Sequence, residues 1–212
     1  MSGDIIKLLR QEYGEPRTAL DYYDPLQLLV STILSAQCTD KRVNMVTKDL
    51  FKKYKTAKDY ADAKTEELEL DIKSTGFYKQ KTKSIQGCCK MLLSDFNGKV
   101  PDSMDSLVKL PGVGRKTANV VLNNAFNQLS GITVDTHVKR VGERLGLHSG
   151  KDPVKIEFEM MDTIPKKDWI FISHALIEHG RAVCVARKPR CPNCPLAKLC
   201  PSYEKYMEEF WQ

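Results

Sequence analysis

Leu110-Pro-Gly-Val-Gly-Arg-Lys-Thr-Ala-Asn-Val-Val-Leu122 is the stretch on which the reading of this chain turns. Gly112 and Gly114 can each take a positive φ and leave backbone N–H groups uncovered. Residues from Arg115 to Ala125 then follow a helical pattern, so the turn meets the positive end of a helix dipole and suits a phosphate. A nucleotide P-loop is excluded, because Arg115 separates Gly114 from Lys116-Thr117 where that loop needs Gly-Lys-Ser/Thr. A dinucleotide fingerprint follows a strand, whereas the residues before Pro111 read as helix. Helix, short glycine hairpin, helix is what remains.

Lys116 taken alone reads as a solvated surface charge. In the first helical turn, beside Arg115 and partly desolvated, it would be eased toward its neutral form. A neutral amine can attack an electrophilic carbon and form a Schiff base. Val134-Asp-Thr-His137 offers a partner: Asp135 can take a proton or stabilise cationic character on a sugar, and it is equally suited to a plain N-cap.

Around this centre the pattern is helical, and the expected class is all-α. Gly131-Ile-Thr-Val134 is the one short strand-like piece. Asp24-Pro25 supplies a cap and a first-turn proline for a helix with Leu26, Leu28, Leu29, Val30, Ile33 and Leu34, apolar almost all round and so central to a domain. Val43, Val46, Leu50 and Phe51 mark the next helix, and Leu68, Leu70 and Ile72 another, ended by Gly76. A fourth is expected from about Lys81 to Phe96, with Ile85, Cys88, Cys89, Leu92 and Leu93 on one side and Asn97-Gly98 as its stop. Asp102 or Ser103 can cap a short helix with Leu107 and Leu110. Beyond the hairpin, Asp135-Thr136-His137 opens one helix, and Asp152-Pro153 opens another with Val154, Ile156, Phe158 and Met161 spaced for burial. Trp169 to Gly180 forms a last one.

Cys184-x6-Cys191-x2-Cys194-x5-Cys200 places four thiols in seventeen residues. Four thiolates can hold a tetrahedral zinc or a cubane iron–sulfur cluster, and the six-residue first gap is unusual for zinc knuckles. Arg187, Lys188 and Arg190 lie inside that gap, a basic finger suited to phosphates. Seven cysteines, an odd number, argue against a secreted disulfide framework. Cys38, Cys88 and Cys89 stand in apolar helical contexts and read as core thiols. The formal charge of +6 agrees with a polyanionic partner. The apolar runs are too short to span a bilayer, which takes about 20 residues, so no membrane association is expected. With no signal peptide at the N-terminus, the expected location is the cytoplasm, at the nucleoid. No heptad pattern stands out, so a monomer is expected.

The glycine hairpin, the Val-Asp-Thr-His element and the cysteine loop, in this order, resemble the endonuclease III family, bifunctional DNA glycosylase and abasic-site lyases of the helix-hairpin-helix superfamily. The likeness runs from about Pro25 to Cys200. It implies two helical lobes with a DNA-binding cleft between them: a six-helix barrel at 20–130, and a cluster lobe made of 1–19 with 131–212. It implies that Lys116 attacks C1′ of the damaged nucleotide, assisted by Asp135, and that Cys184, Cys191, Cys194 and Cys200 hold a 4Fe–4S cluster. The implied substrate is double-stranded DNA carrying damaged pyrimidines or abasic sites. An oxidised pyrimidine leaves through the Schiff base, and β-elimination nicks the strand 3′ to the site. Within the superfamily Lys116 marks the lyase branch.

Leu34-Ser-Ala-Gln-Cys-Thr-Asp40 resembles the segment whose glutamine fills the gap left by a flipped-out base, which points to Gln37. Gly76-Phe-Tyr78, with Lys73, Lys79, Lys81 and Lys83 around it, resembles the loop that wedges into the base stack. Phe77 stands there in place of the leucine common in relatives; otherwise it packs inward beneath a solvated lysine turn. Cys38 likewise replaces a common alanine. Two other readings compete: a monofunctional or mismatch-specific glycosylase of the same fold, and a metal-bearing protein that only docks on DNA or senses redox state. Lys116 speaks against the first, and Lys116 with Asp135 against the second.

Overall fold

The computed structural model describes residues 2–211, and no strand occurs among them. In chain order the helices are α1 (Ser2–Tyr13), α2 (Pro25–Leu34), α3 (Asp40–Lys53), α4 (Ala57–Asp62), α5 (Thr65–Ile72), α6 (Tyr78–Phe96), α7 (Met104–Leu107), α8 (Arg115–Ala125), α9 (Thr136–Arg144), α10 (Pro153–Thr163), α11 (Trp169–Ala182) and α12 (Tyr203–Phe210). Two compact units result. One is Thr18–Ser130; the other joins the chain up to Arg17 with the chain from Gly131 onward.

In the continuous unit α2 is the central rod. Asp24 accepts from the Gln27 N–H at 2.8 Å, Pro25 occupies the first turn, and Leu28 to Leu34 are all buried. Each leucine so buried contributes about 1.5–3 kcal/mol. Helix α6 packs along α2, α4 and α5, and α8 packs on α2. The short α4 has only Ala57, Tyr60 and Ala61 to bury, and it starts on a reciprocal cap. Thr56 Oγ1 accepts from the Asp59 N–H, and the Asp59 carboxylate accepts from the Thr56 N–H. Helix α6 begins three residues earlier than the apolar spacing suggests and ends as expected. Asn97 is left-handed, and the Gly98 N–H reaches back to the Leu92 carbonyl at 2.7 Å. Leu70 and Leu93 face water rather than the core, each lying off the stripe its neighbours bury. The short helix α7 stops at Leu107, and Leu110 is buried in the turn beyond it.

The second unit is built on α9 and α11, with α1 laid against α11. Gly180 permits the close crossing of α9 and α11, since a Cβ there would stand 2.9 Å from His137 Nδ1. Ile5 and Leu9 of α1 are fully buried, and the Arg10 guanidinium lies 4.0 Å over the Phe171 ring while bonding Asp168. Two expectations are corrected. Residues 131–134 bury Ile132 and Val134 yet form no strand; the Thr133 N–H donates instead to Ser173 Oγ at 3.0 Å. In α10 the buried face carries Ile156 and Met160, while Val154 and Phe158 are 40% and 48% exposed. An i, i+4 pair sets that stripe, and residues two positions away fall on the opposite side. Among the described residues no helix is long and apolar enough to cross a membrane.

Candidate functional site

The hairpin is anchored from below. Leu110 and Val113 are buried, and the Val113 N–H closes the turn on the Leu110 carbonyl at 3.0 Å. Only one of the two glycines takes a positive φ: Gly112 sits at 78°, whereas Gly114 is extended at φ −90° and ψ 174°. A Cβ on Gly112 would stand 2.5 Å from Ser84 Cβ of α6, in addition to the backbone strain. Gly112→Ala is therefore expected to destabilise the protein by about 1–3 kcal/mol, seen as a lower denaturant midpoint with an unchanged slope. An unaltered midpoint would show that the turn is not held as described. Gly114 has open space above its Cα and is the N-cap of α8, with no side chain capping the first turn.

Arg115 and Lys116 are the first two residues of α8; Arg115 is half-buried and Lys116 exposed. The expected partial desolvation of Lys116 is not supplied by the chain, because no core side chain covers it. A bound substrate would have to exclude that water.

Asp135 is the N-cap of α9, its Oδ1 accepting from the His137 and Val138 N–H groups at 2.8 Å each. His174 of α11 is pushed below the usual histidine range by burial and drawn back up by the Asp135 charge.

The four cysteines line one cavity with Arg144 and Tyr206. None is in a disulfide. Burial first, then the neighbouring thiols, pushes Cys191 and Cys200 up. Burial likewise takes Cys194 to about 11. Among the described residues no group of three or more His, Cys, Asp or Glu is arranged to hold a single metal ion. Arg187, Lys188 and Arg190 are all exposed on the loop between the first two cysteines. Cys88 and Cys89 are buried in the other unit, and burial raises both thiols.

Gln37 and Phe77 lie in the continuous unit, each just beyond the end of a helical segment. Gln37 is exposed at φ 52°, and Phe77 is 65% exposed at φ 48°. Phe77 thus projects into solvent and does not pack inward.

A family model described as the HhH-GPD superfamily base excision DNA repair protein matches residues 30–166. Endonuclease III of Synechocystis sp. is 53% identical over 199 residues, covering 94% of this chain and 91% of that protein. Its counterpart from Bacillus subtilis is 51% identical over 187 residues, covering 88% and 85%. Among solved structures, a trapped endonuclease III–DNA covalent intermediate superposes with a TM-score of 0.92 at 44% identity, covering 98% of this chain and 99% of that one. This chain belongs to the endonuclease III family. It is a base excision repair enzyme, with the DNA glycosylase and abasic-site lyase activity of that family.

Several residues packed around the cysteine loop carry no signal in the sequence. Arg144 NH1 donates to Cys184 Sγ at 3.2 Å and to the Val185 carbonyl at 2.8 Å, and NH2 to the Ala186 carbonyl at 2.8 Å. Arg140 binds the Cys184 and Gly180 carbonyls. Trp211 Nε1 donates to the Pro189 carbonyl at 2.9 Å, and the Lys188 ammonium stands 4.4 Å over its ring. The basic loop is therefore tied at both ends. Tyr13 OH and His179 Nδ1 are hydrogen-bonded at 2.9 Å, and His179 Nε2 lies 3.5 Å from Cys194 Sγ. Burial holds His179 neutral, down to about 4. An arginine on a helix face reads as a solvated charge until its partners, forty residues away, are known.

Proposed function

We propose that this chain excises oxidised pyrimidines from double-stranded DNA and cuts the strand at the resulting abasic site, with Lys116 as nucleophile. The observation that carries this reading is an exposed lysine at the second position of α8, two residues after an N-cap glycine that leaves the first turn without a side-chain cap. The hairpin N–H groups and the helix dipole then hold a backbone phosphate while Nζ reaches the sugar. The trapped DNA intermediate of the 44% identical neighbour supports a covalent route.

In this route the neutral amine attacks C1′, the C1′–N bond breaks, and the base leaves with the electron pair and takes up a proton. The amine nitrogen then gives up a proton, the C1′–O4′ bond breaks as O4′ takes one up, and the ring-opened sugar is held as an iminium on Lys116. Loss of a C2′ proton expels the 3′ phosphate by β-elimination, and water releases the lysine. Asp135 supplies the negative charge that balances the cationic sugar. Gln37 fills the gap left by the extruded nucleotide and Phe77 wedges the stack. Arg187, Lys188 and Arg190 bind phosphates. Cys184, Cys191, Cys194 and Cys200 hold a 4Fe–4S cluster. Their fit rests on four reduced thiols converging on one cavity, with an arginine N–H already directed at Cys184 Sγ. When bound, the cluster shapes the basic loop.

Borohydride trapping on duplexes carrying thymine glycol or an abasic site tests the reading. A covalent adduct with both substrates is expected. Base release without an adduct would indicate a monofunctional glycosylase, and binding with neither a docking protein.

Asp135→Asn separates catalysis from capping. Asparagine caps as well as aspartate, so stability should change by less than about 0.5 kcal/mol. Base release is expected to fall by about 10²–10⁴-fold. Equal base-release rates for the two proteins would reduce Asp135 to a cap.

A further inference from the structure

Lys81 is 4% exposed, although it follows the wedge turn in a run of otherwise solvated lysines. Its Nζ donates to the Leu34 carbonyl and to the Thr75 carbonyl, both at 2.8 Å. Those carbonyls are at the last residues of α2 and of the 3-10 turn Lys73–Thr75, so one ammonium closes the negative ends of two helical segments. Gln37 lies three residues beyond the first carbonyl and Phe77 two beyond the second. Among the described residues the other non-glycine positions with positive φ are Asn97 and Asn127, a residue type that tolerates that region; glutamine and phenylalanine are poorly suited to it. Burial pushes the Lys81 amine below the usual lysine range. An apolar residue of this volume would fill the space at no such cost, so packing alone does not explain a lysine here.

We infer that Lys81 is a positioning residue that ties the turns bearing Gln37 and Phe77 into one rigid pair, so that gap filling and wedging occur together when a base is extruded. This rests on the roles proposed above for those two residues. Lys81 touches neither the sugar nor the base. Its contribution therefore belongs to extrusion of a stacked base and not to chemistry at C1′.

The test compares the full-length protein with Lys81→Met and Lys81→Arg on two duplexes, one with thymine glycol and one with a preformed abasic site. A fluorescent purine analogue opposite the lesion reports unstacking. Lys81→Met is expected to lose the fluorescence change and to slow thymine glycol release on the order of a hundredfold, the scale of a misplacement near 1 Å. Cleavage at the abasic site, where no base has to leave the stack, should stay within about threefold. Lys81→Arg, which keeps the cation and its donors, should recover both signals. Equal losses on both duplexes, or an undisturbed fluorescence change in Lys81→Met, would overturn the inference. Should Lys81→Met not fold, Lys81→Gln, which keeps a donor for one carbonyl, is read on the same duplexes by the same criteria. Failure of the unsubstituted protein to give any trapped adduct would instead remove the functional reading.

Discussion

Lys116→Ala is expected to abolish the borohydride-trapped adduct and to lower strand cleavage by at least about four orders of magnitude, the scale seen when a nucleophile is removed. The fold should not notice. Lys116 is exposed, and alanine is the better helix former, so the thermal midpoint should stay or rise slightly. DNA affinity supplies the discriminating readout. A lysine that only neutralised a phosphate would take about one unit of salt slope with it, and weaken binding alike on damaged and undamaged duplex. A lysine aimed at C1′ leaves the slope unchanged while the covalent product disappears. If Lys116→Ala still traps DNA, the nucleophile lies elsewhere in the chain.

Cys191→Ser is expected to remove the broad visible absorption of an iron–sulfur cluster, which zinc would not show, and to destabilise the discontinuous unit by several kcal/mol. The structure explains why the loss should be large. The turns Cys191–Asn193 and Ala197–Leu199 and helix α12 bury no side chain of their own. Between Cys184 and Trp211, only Pro189 and Leu196 are buried. A segment with so little apolar burial does not offset the entropy of ordering, so a bound group has to hold it. Proteolysis should open the region after Cys184 well before Thr18–Ser130 is cut. Retained colour or an unchanged unfolding midpoint in Cys191→Ser would rule out ligation by this residue. The basic loop should loosen with the cluster, weakening binding to intact and damaged DNA together.

The sequence is most legible where a local rule decides the structure. Asp24-Pro25, Asp135-Thr136, Asp152-Pro153 and Asn97-Gly98 fall at helix ends because capping needs only neighbours in the chain. The Pro111–Gly114 break and the start of α8 at Arg115 follow from the same kind of rule. Contacts made at a distance are what escaped. Helix α1 has only Ile5, Ile6 and Leu9 to bury, α4 rests on a capping box with aspartate in place of glutamate, and α12 buries nothing. Lys81 illustrates the limit best. Its sequence neighbours are solvated lysines, and only the fold supplies the two carbonyls that bury it.

Helix α1 bears on how the protein is made. Its apolar residues Ile5 and Leu9 belong to a core completed by α11, which is translated more than 150 residues later. At about 5–20 residues per second, that greasy face waits roughly ten to thirty seconds on the ribosome for its partner. The continuous Thr18–Ser130 unit is translated within that interval. Nascent chains stalled before α11 should therefore expose the apolar faces of α1, α9 and α10, whose common core still lacks its α11 partner, a state in which a chaperone has several short segments to shield.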